Sequence, residues 1–232
     1  MPAPPINVIT QFVSFSGMDG AGKSTQIEAL RMQLEQDGLR VLLIRFWDDV
    51  ALLTKFRESA GHALFKGDKG VGTPSAPVNR RDKNVKSSLM TVVRLFLYGI
   101  DAFSTRAAVK QARHLKADLV IFDRYIYDEL ANLPLGNKAI RSCVWLIMKV
   151  VPRPHISFLL DADPVNARER KPEYPLEFLY ANRRSYQALA ELIGGITIID
   201  AMPILDVERS ILSCARERLQ FRDSRQRIDD GR

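Results

Sequence analysis

The chain has 232 residues, 46% hydrophobic and 26% charged, close to the globular average; wholesale disorder is excluded and one α/β domain of ordinary size is expected. Lys and Arg number 34 against 27 Asp and Glu, and the net charge of +7 favours anionic partners such as nucleic acid, acidic lipid or small phosphorylated ligands. Cys143 and Cys214 have no metal-ligand spacing and lie in apolar helical contexts, so a reduced cytoplasmic setting is expected rather than a disulfide framework.

The start, Met1-Pro2-Ala3-Pro4-Pro5, lacks the basic and apolar regions of a secretory signal. The most apolar stretches, Leu89 to Phe103 and Cys143 to Val151, are interrupted by Arg94, Asp101 and Lys149. Neither reaches the roughly 20 residues that cross a bilayer, so no membrane span is expected.

Gln11 to Ser16 reads as a buried strand ending at Gly17. Lys23 to Gln36, apolar at Ile27, Leu30 and Leu34, reads as a helix stopped by Asp37-Gly38. Arg40 to Phe46 is the second strand, Asp48 to Phe65 a helix, and Lys66 to Lys83 a loop in which Pro74 and Pro77 forbid a regular helix. Val85 to Lys116 is a long helical pattern with an expected break near Gly99. Leu119 to Phe122 is too short for a helix and reads as a central strand. A helix from Lys138 to Val151 ends at Pro152, Ile156 to Leu160 is the fourth strand, and Pro164 opens a helix at a favoured position. Leu176 to Leu192 is helical, Gly194-Gly195 a punctuation, Ile196 to Ile199 the fifth strand, and Pro203 to Gln220 the closing helix. Phe221 to Arg232 alternates Arg and Asp and is expected to be a frayed tail. Strands alternating with helices give a parallel sheet covered on both faces.

Gly17-Met18-Asp19-Gly20-Ala21-Gly22-Lys23-Ser24-Thr25 fits G-x-x-x-x-G-K-[ST] and lies between the first strand and the first helix, where that motif functions. Glycines let the backbone wrap phosphate oxygens, and the freed N–H groups and helix N-terminus supply positive potential. Gly17 to Thr25 would thus cradle a nucleoside triphosphate, with Lys23 on the β- and γ-phosphates and Ser24 helping to hold Mg²⁺. A chance match in a chain of this length arises about one time in a hundred. The guanine-reading N-K-x-D of GTP switches is missing, since Asn137-Lys138 continues as Ala139-Ile140. Nor is there a basic stripe with interleaved aromatics, so no nucleic-acid partner is expected.

The loop Gly17 to Gln26 resembles that of thymidylate kinases, including the acidic Asp19. Asp123-Arg124-Tyr125 resembles that family's Asp-Arg-aromatic motif, and Leu159-Leu160-Asp161-Ala162-Asp163-Pro164 its fourth strand and lid start. Arg168 to Lys171 is similar to a basic lid, and Arg183-Arg184-Ser185-Tyr186 to the helix after it; the resemblance spans about residues 10 to 220. It implies a single P-loop kinase domain of the nucleoside monophosphate kinase kind, with a five-stranded parallel sheet flanked by helices, a lid near 168–176 and a homodimeric assembly. It also implies ATP as donor, Mg²⁺ as cofactor and dTMP as acceptor. By position, Asp19 would bind the acceptor sugar, Arg124 its phosphate, and Asp123 would organise Mg²⁺ with Ser24. Gly20 stands where some members carry an arginine; those without it use lid arginines, here Arg168 and Arg170, beside Lys171.

The acceptor side departs from the family. After the second strand stands Arg45-Phe46-Trp47-Asp48-Asp49, which keeps a basic residue, Arg45, and loses the family turn. Tyr98 supplies the base-stacking aromatic, but Ala102 holds the arginine position, and the later polar positions read Asp128-Glu129 and Asn132-Leu133. Structural readings stand beside several of these: a strand-end ion pair for Asp123-Arg124, a turn cap for Asp19, a surface charge for Arg45 and a core ring for Tyr98. The acceptor can therefore be dTMP or another phosphorylated molecule, and a nucleotide-binding regulator without turnover is the alternative of a different class. The apolar Val85 to Phe103 helix is either a dimer contact or an ordinary core helix.

Overall fold

The computed structural model describes residues 10–50, 88–115 and 117–219. The strands are β1 (Gln11–Ser16), β2 (Val41–Arg45), β3 (Leu119–Asp123), β4 (Ile156–Asp161) and β5 (Ile196–Asp200). Among the described residues they form one sheet in the order β2-β3-β1-β4-β5, with every pairing parallel. The chain leaves β1 toward β2 on one side and later crosses from β3 to β4 on the other. The carboxyl ends of β1, β3 and β4 therefore border a crevice, the place where open parallel sheets bind ligands.

The strands alternate between two cores. Phe12, Val120, Phe122 and Leu159 face the layer holding Tyr98, Leu130, Val144, Leu179 and Leu189. Val13, Phe15, Ile121, Phe158 and Leu160 face Ile27, Leu30, Leu34, Ile211 and Ala215. The first layer is built by α2 (Ser88–His114), α3 (Ile126–Leu130), α4 (Lys138–Val150) and α6 (Leu176–Ile193), the second by α1 (Lys23–Gln36) and α7 (Ile204–Arg218). Each large side chain so buried stabilises the fold by about 1.5–3 kcal/mol, which fixes the strand ends that hold the site.

Helix boundaries follow local chemistry. Asn137 Oδ1 accepts the Ala139 N–H at 2.9 Å to start α4, and Pro152 follows its end. Asp163 Oδ1 accepts from Val165 and Asn166, with Pro164 opening α5 (Pro164–Arg170).

Three sequence expectations change. The second strand is shorter, because Phe46–Val50 forms a single π-helical turn in which the Asp49 carboxylate captures the Arg45 N–H at 2.7 Å. Phe46 and Val50 anchor that turn in the core; the expected helix beyond Val50, the loop Lys66 to Lys83 and the tail 221–232 lie outside the described residues. The long helix α2 runs through Gly99 without a break, since the space around that glycine is open and nothing forces a kink. The five-residue α3 was not expected; too short for periodicity, it is nucleated by Asp128 reaching back to the Tyr125 N–H at 3.0 Å.

Candidate active site

The glycine loop wraps as its sequence requires. Gly17, Gly20 and Gly22 have φ of 141°, 82° and 85°, a region open to glycine and strained for other residues. Two of these glycines also touch backbone elsewhere: a Cβ on Gly17 would meet the Leu160 carbonyl oxygen at 2.7 Å, and one on Gly20 the Ala167 carbonyl carbon at 2.9 Å. Helix α5 is thus seated on the loop, with no room for a side chain at position 20.

Lys23 is buried and folds back into this loop, its Nζ donating to the Gly17 and Met18 carbonyls at 2.8 Å each. Burial pushes its ammonium down to about 8; Arg124 adds to that shift, and Asp128, Asp19 and Asp123 oppose it. Ala21 is half-buried and Ser24 and Thr25 are exposed on the first turn of α1.

β3 delivers the second half of the site. In the sheet register Asp123 lies between Phe15 of β1 and Arg45 of β2. Arg124 follows with φ 67°, the one left-handed non-glycine among the described residues, held by its N–H on the Phe15 carbonyl at 3.0 Å. Such a conformation costs about 1–2 kcal/mol and aims the side chain back over the crevice. There the guanidinium bonds Asp19 of the glycine loop and approaches Asp128 at 3.5 Å. Burial would lower its pKa, but the Asp128 and Asp19 carboxylates outweigh that and raise it.

Ser24 and Asp123 offer a hydroxyl and a carboxylate, the hard oxygen donors that suit Mg²⁺. No cluster of three His, Cys, Asp or Glu exists among the described residues, and a Mg²⁺ shared with substrate phosphates needs none.

The remaining candidates divide. Arg170 ends α5 with its Nε on the Asn166 carbonyl at 3.1 Å, and its Nη1 lies 4.0 Å from where a Cβ on Gly22 would stand. Arg168 is half-buried on the same helix, and Lys171 pairs with Glu173 at 3.3 Å. Arg45 is exposed beside Asp123 at the strand end. Tyr98 is 4% exposed within the core, so its ring would have to open to meet a base; Ala102 and Leu133 are buried as well.

The chain matches no protein-family model. A protein of Methanosphaera stadtmanae named probable thymidylate kinase is 27% identical over 202 residues, 84% of this chain and 92% of that protein. The thymidylate kinase of Bifidobacterium longum strain DJO10A is 30% identical over 164 residues, 68% of this chain and 70% of its own length. The chain belongs to the thymidylate kinase family. The crystal structure of thymidylate kinase from Ehrlichia chaffeensis shares its fold, with a TM-score of 0.56 at 21% identity over 89% of this chain and 98% of the other.

Two features of this family member escaped the sequence. Asp128 accepts from Ser16 Oγ and the Tyr186 hydroxyl at 2.8 Å each, and the Arg124 contact could have been read only from its i,i+4 spacing. Asp161, at the end of β4, receives a bidentate fork from Arg183 at 2.7 and 2.8 Å and Gln187 Nε2 at 3.1 Å. That clasp joins β4 to α6 on either side of α5.

Proposed function

We propose that the chain transfers the γ-phosphoryl group of ATP to the phosphate of dTMP, giving ADP and dTDP. The observation that supports this best is the meeting of Arg124 with Asp19. It brings the arginine suited to an acceptor phosphate onto the loop suited to the donor phosphates. Transfer is then direct and in line, with no covalent enzyme intermediate. The Gly17 to Thr25 backbone holds the β- and γ-phosphates, and Lys23 exchanges its two carbonyl partners for phosphate oxygens. Arg124 presents its free N–H groups to the dTMP phosphate, with Arg45 at the neighbouring strand end and Asp19 toward the sugar. Mg²⁺ held by Ser24 and Asp123 would neutralise charge on the phosphates. Arg168 and Arg170 on α5 supply cationic charge to the moving phosphoryl group and exclude water, which limits ATP hydrolysis.

Substrate identity is tested by coupled ADP release against a panel of nucleoside and sugar monophosphates. Turnover highest with dTMP is the expected result; preference for another monophosphate, or none with any, would overturn it. We also infer a homodimer, supported by Val92, Phe96 and Phe103 standing exposed on α2 while Tyr98, Ala102 and Val109 fill the core.

A further inference from the structure

The Asp128 carboxylate is where three separated parts of the chain meet. Ser16 Oγ donates to Oδ2 at 2.8 Å, the Tyr125 N–H to the same oxygen at 3.0 Å, and the Tyr186 hydroxyl to Oδ1 at 2.8 Å. Held from β1, from the start of α3 and from α6, and only 3% exposed, the carboxylate has no freedom to turn. Arg124 Nη1 approaches its Oδ1 at 3.5 Å, while Nη2 binds Asp19. A guanidinium is planar with five N–H donors. Carboxylates at both terminal nitrogens fix that plane and leave three donors for an incoming oxyanion.

We propose that Asp128 is a positioning residue for acceptor binding: anchored by Ser16, Tyr125 and Tyr186, it fixes the plane in which Arg124 offers its N–H groups to the acceptor phosphate. The inference rests on the reading of Arg124 as the acceptor-phosphate ligand. Charge and position act in opposite directions here, which makes the role testable. A carboxylate near a phosphate repels it, so loss of the charge alone would tighten acceptor binding. A guanidinium held at one nitrogen swings about it and presents misaligned donors, which weakens binding.

Asp128→Asn keeps the shape of the side chain. Its amide oxygen can still serve Tyr125 and Ser16, and its NH₂ can donate to the Tyr186 oxygen; toward Arg124 it offers only another donor. Tyr186→Phe is the complementary variant, since it leaves the charge in place and removes one anchor. Steady-state kinetics with ATP and dTMP are expected to show the dTMP KM raised about tenfold in Asp128→Asn and about threefold in Tyr186→Phe, with the ATP KM within about twofold of wild type. A dTMP KM that is unchanged or lower in Asp128→Asn overturns the inference. So does a parallel rise of both KM values with a fall in Tm, the signature of general loosening. If Asp128→Asn does not fold, Tyr186→Phe decides, and an unchanged dTMP KM there overturns the inference. Arg124→Met run alongside separates the two levels. A wild-type dTMP KM in that variant refutes the reading of Arg124 and the inference with it. Loss of dTMP binding there, with normal dTMP KM in the other two, refutes the inference alone.

Discussion

Gly20 lies in the left-handed region directly against α5, and replacing it with alanine tests whether that seat matters. The new Cβ would stand 2.9 Å from the Ala167 carbonyl carbon and nearer still to its oxygen. Ordinary carbon–carbon contact is about 3.5–4.0 Å, so α5 must retreat by about 1 Å. The φ of 82° adds about 1–2 kcal/mol of strain for a residue with a Cβ. Arg170 reaches over Gly22 from the end of α5, so the retreat withdraws its guanidinium from the phosphate cradle. A misplacement of about 1 Å in a catalytic group costs on the order of a hundredfold. Coupled ADP release at saturating ATP and dTMP should show kcat of Gly20→Ala reduced by about that factor. Thermal denaturation should show Tm lowered by about 2–8 °C, the strain translated for a chain of this size. A folded variant whose kcat stays within about threefold of wild type would refute both the seating of α5 and the part given to Arg170.

Lys23→Met keeps the apolar stem and removes the ammonium, so kcat should fall about a hundredfold or more while Tm changes little; near-normal turnover removes Lys23 from the transfer step. Replacing Arg168 and Arg170 together with alanine should depress kcat far more than it raises the ATP KM, and a change confined to the ATP KM would reduce the lid to a binding element. His155 accepts the Phe12 N–H on Nδ1 at 2.9 Å, and burial holds its pKa below the ordinary 6.5. The unfolded chain therefore takes up this proton first as pH falls through 6.5, and stability present above that value is lost until the folded imidazole protonates too. His155→Asn keeps an acceptor that does not titrate, so denaturation midpoints between about pH 5 and 8 should slope less; an unchanged slope refutes the assignment. Phe96→Glu with Phe103→Glu should convert a dimer into monomer by light scattering, and wild type already monomeric would refute the pairing.

What the sequence disclosed and what it withheld follow from the range of the interactions involved. The shape of the glycine loop is legible because it is local: the glycines that take positive φ lie within the motif itself. The strands are legible because Leu119 to Phe122 and Phe12 to Phe15 are uninterrupted or nearly so, as burial on both faces demands. Asp128 was visible only as a departure from a family pattern, because its partners Tyr186 and Ser16 lie 58 and 112 residues away. The turn after β2 hid for another reason. One carboxylate, Asp49, closes it on the Arg45 N–H, a side-chain to backbone bond that no apolar periodicity announces. Gly99 misled because a glycine breaks a helix only where packing or hydrogen bonding also gives way, and α2 is continuous on both sides of it.

The clasp on Asp161 gives the excursion through α5 a property of its own. Arg183 returns to that carboxylate 22 residues later in the chain, so the excursion through α5 leaves and re-enters the body of the protein at almost one point. Loop-closure entropy changes slowly with what lies between such ends, and within the excursion the buried Ala167, Tyr174 and Leu179 are what pins it to the body. The stretch from Ala162 to Asn182 is therefore a cassette. It can be exchanged for the corresponding stretch of a relative without redesigning the sheet beneath it, provided the positions of Ala167, Tyr174 and Leu179 keep their buried contacts and the residue facing Gly20 leaves the same narrow clearance.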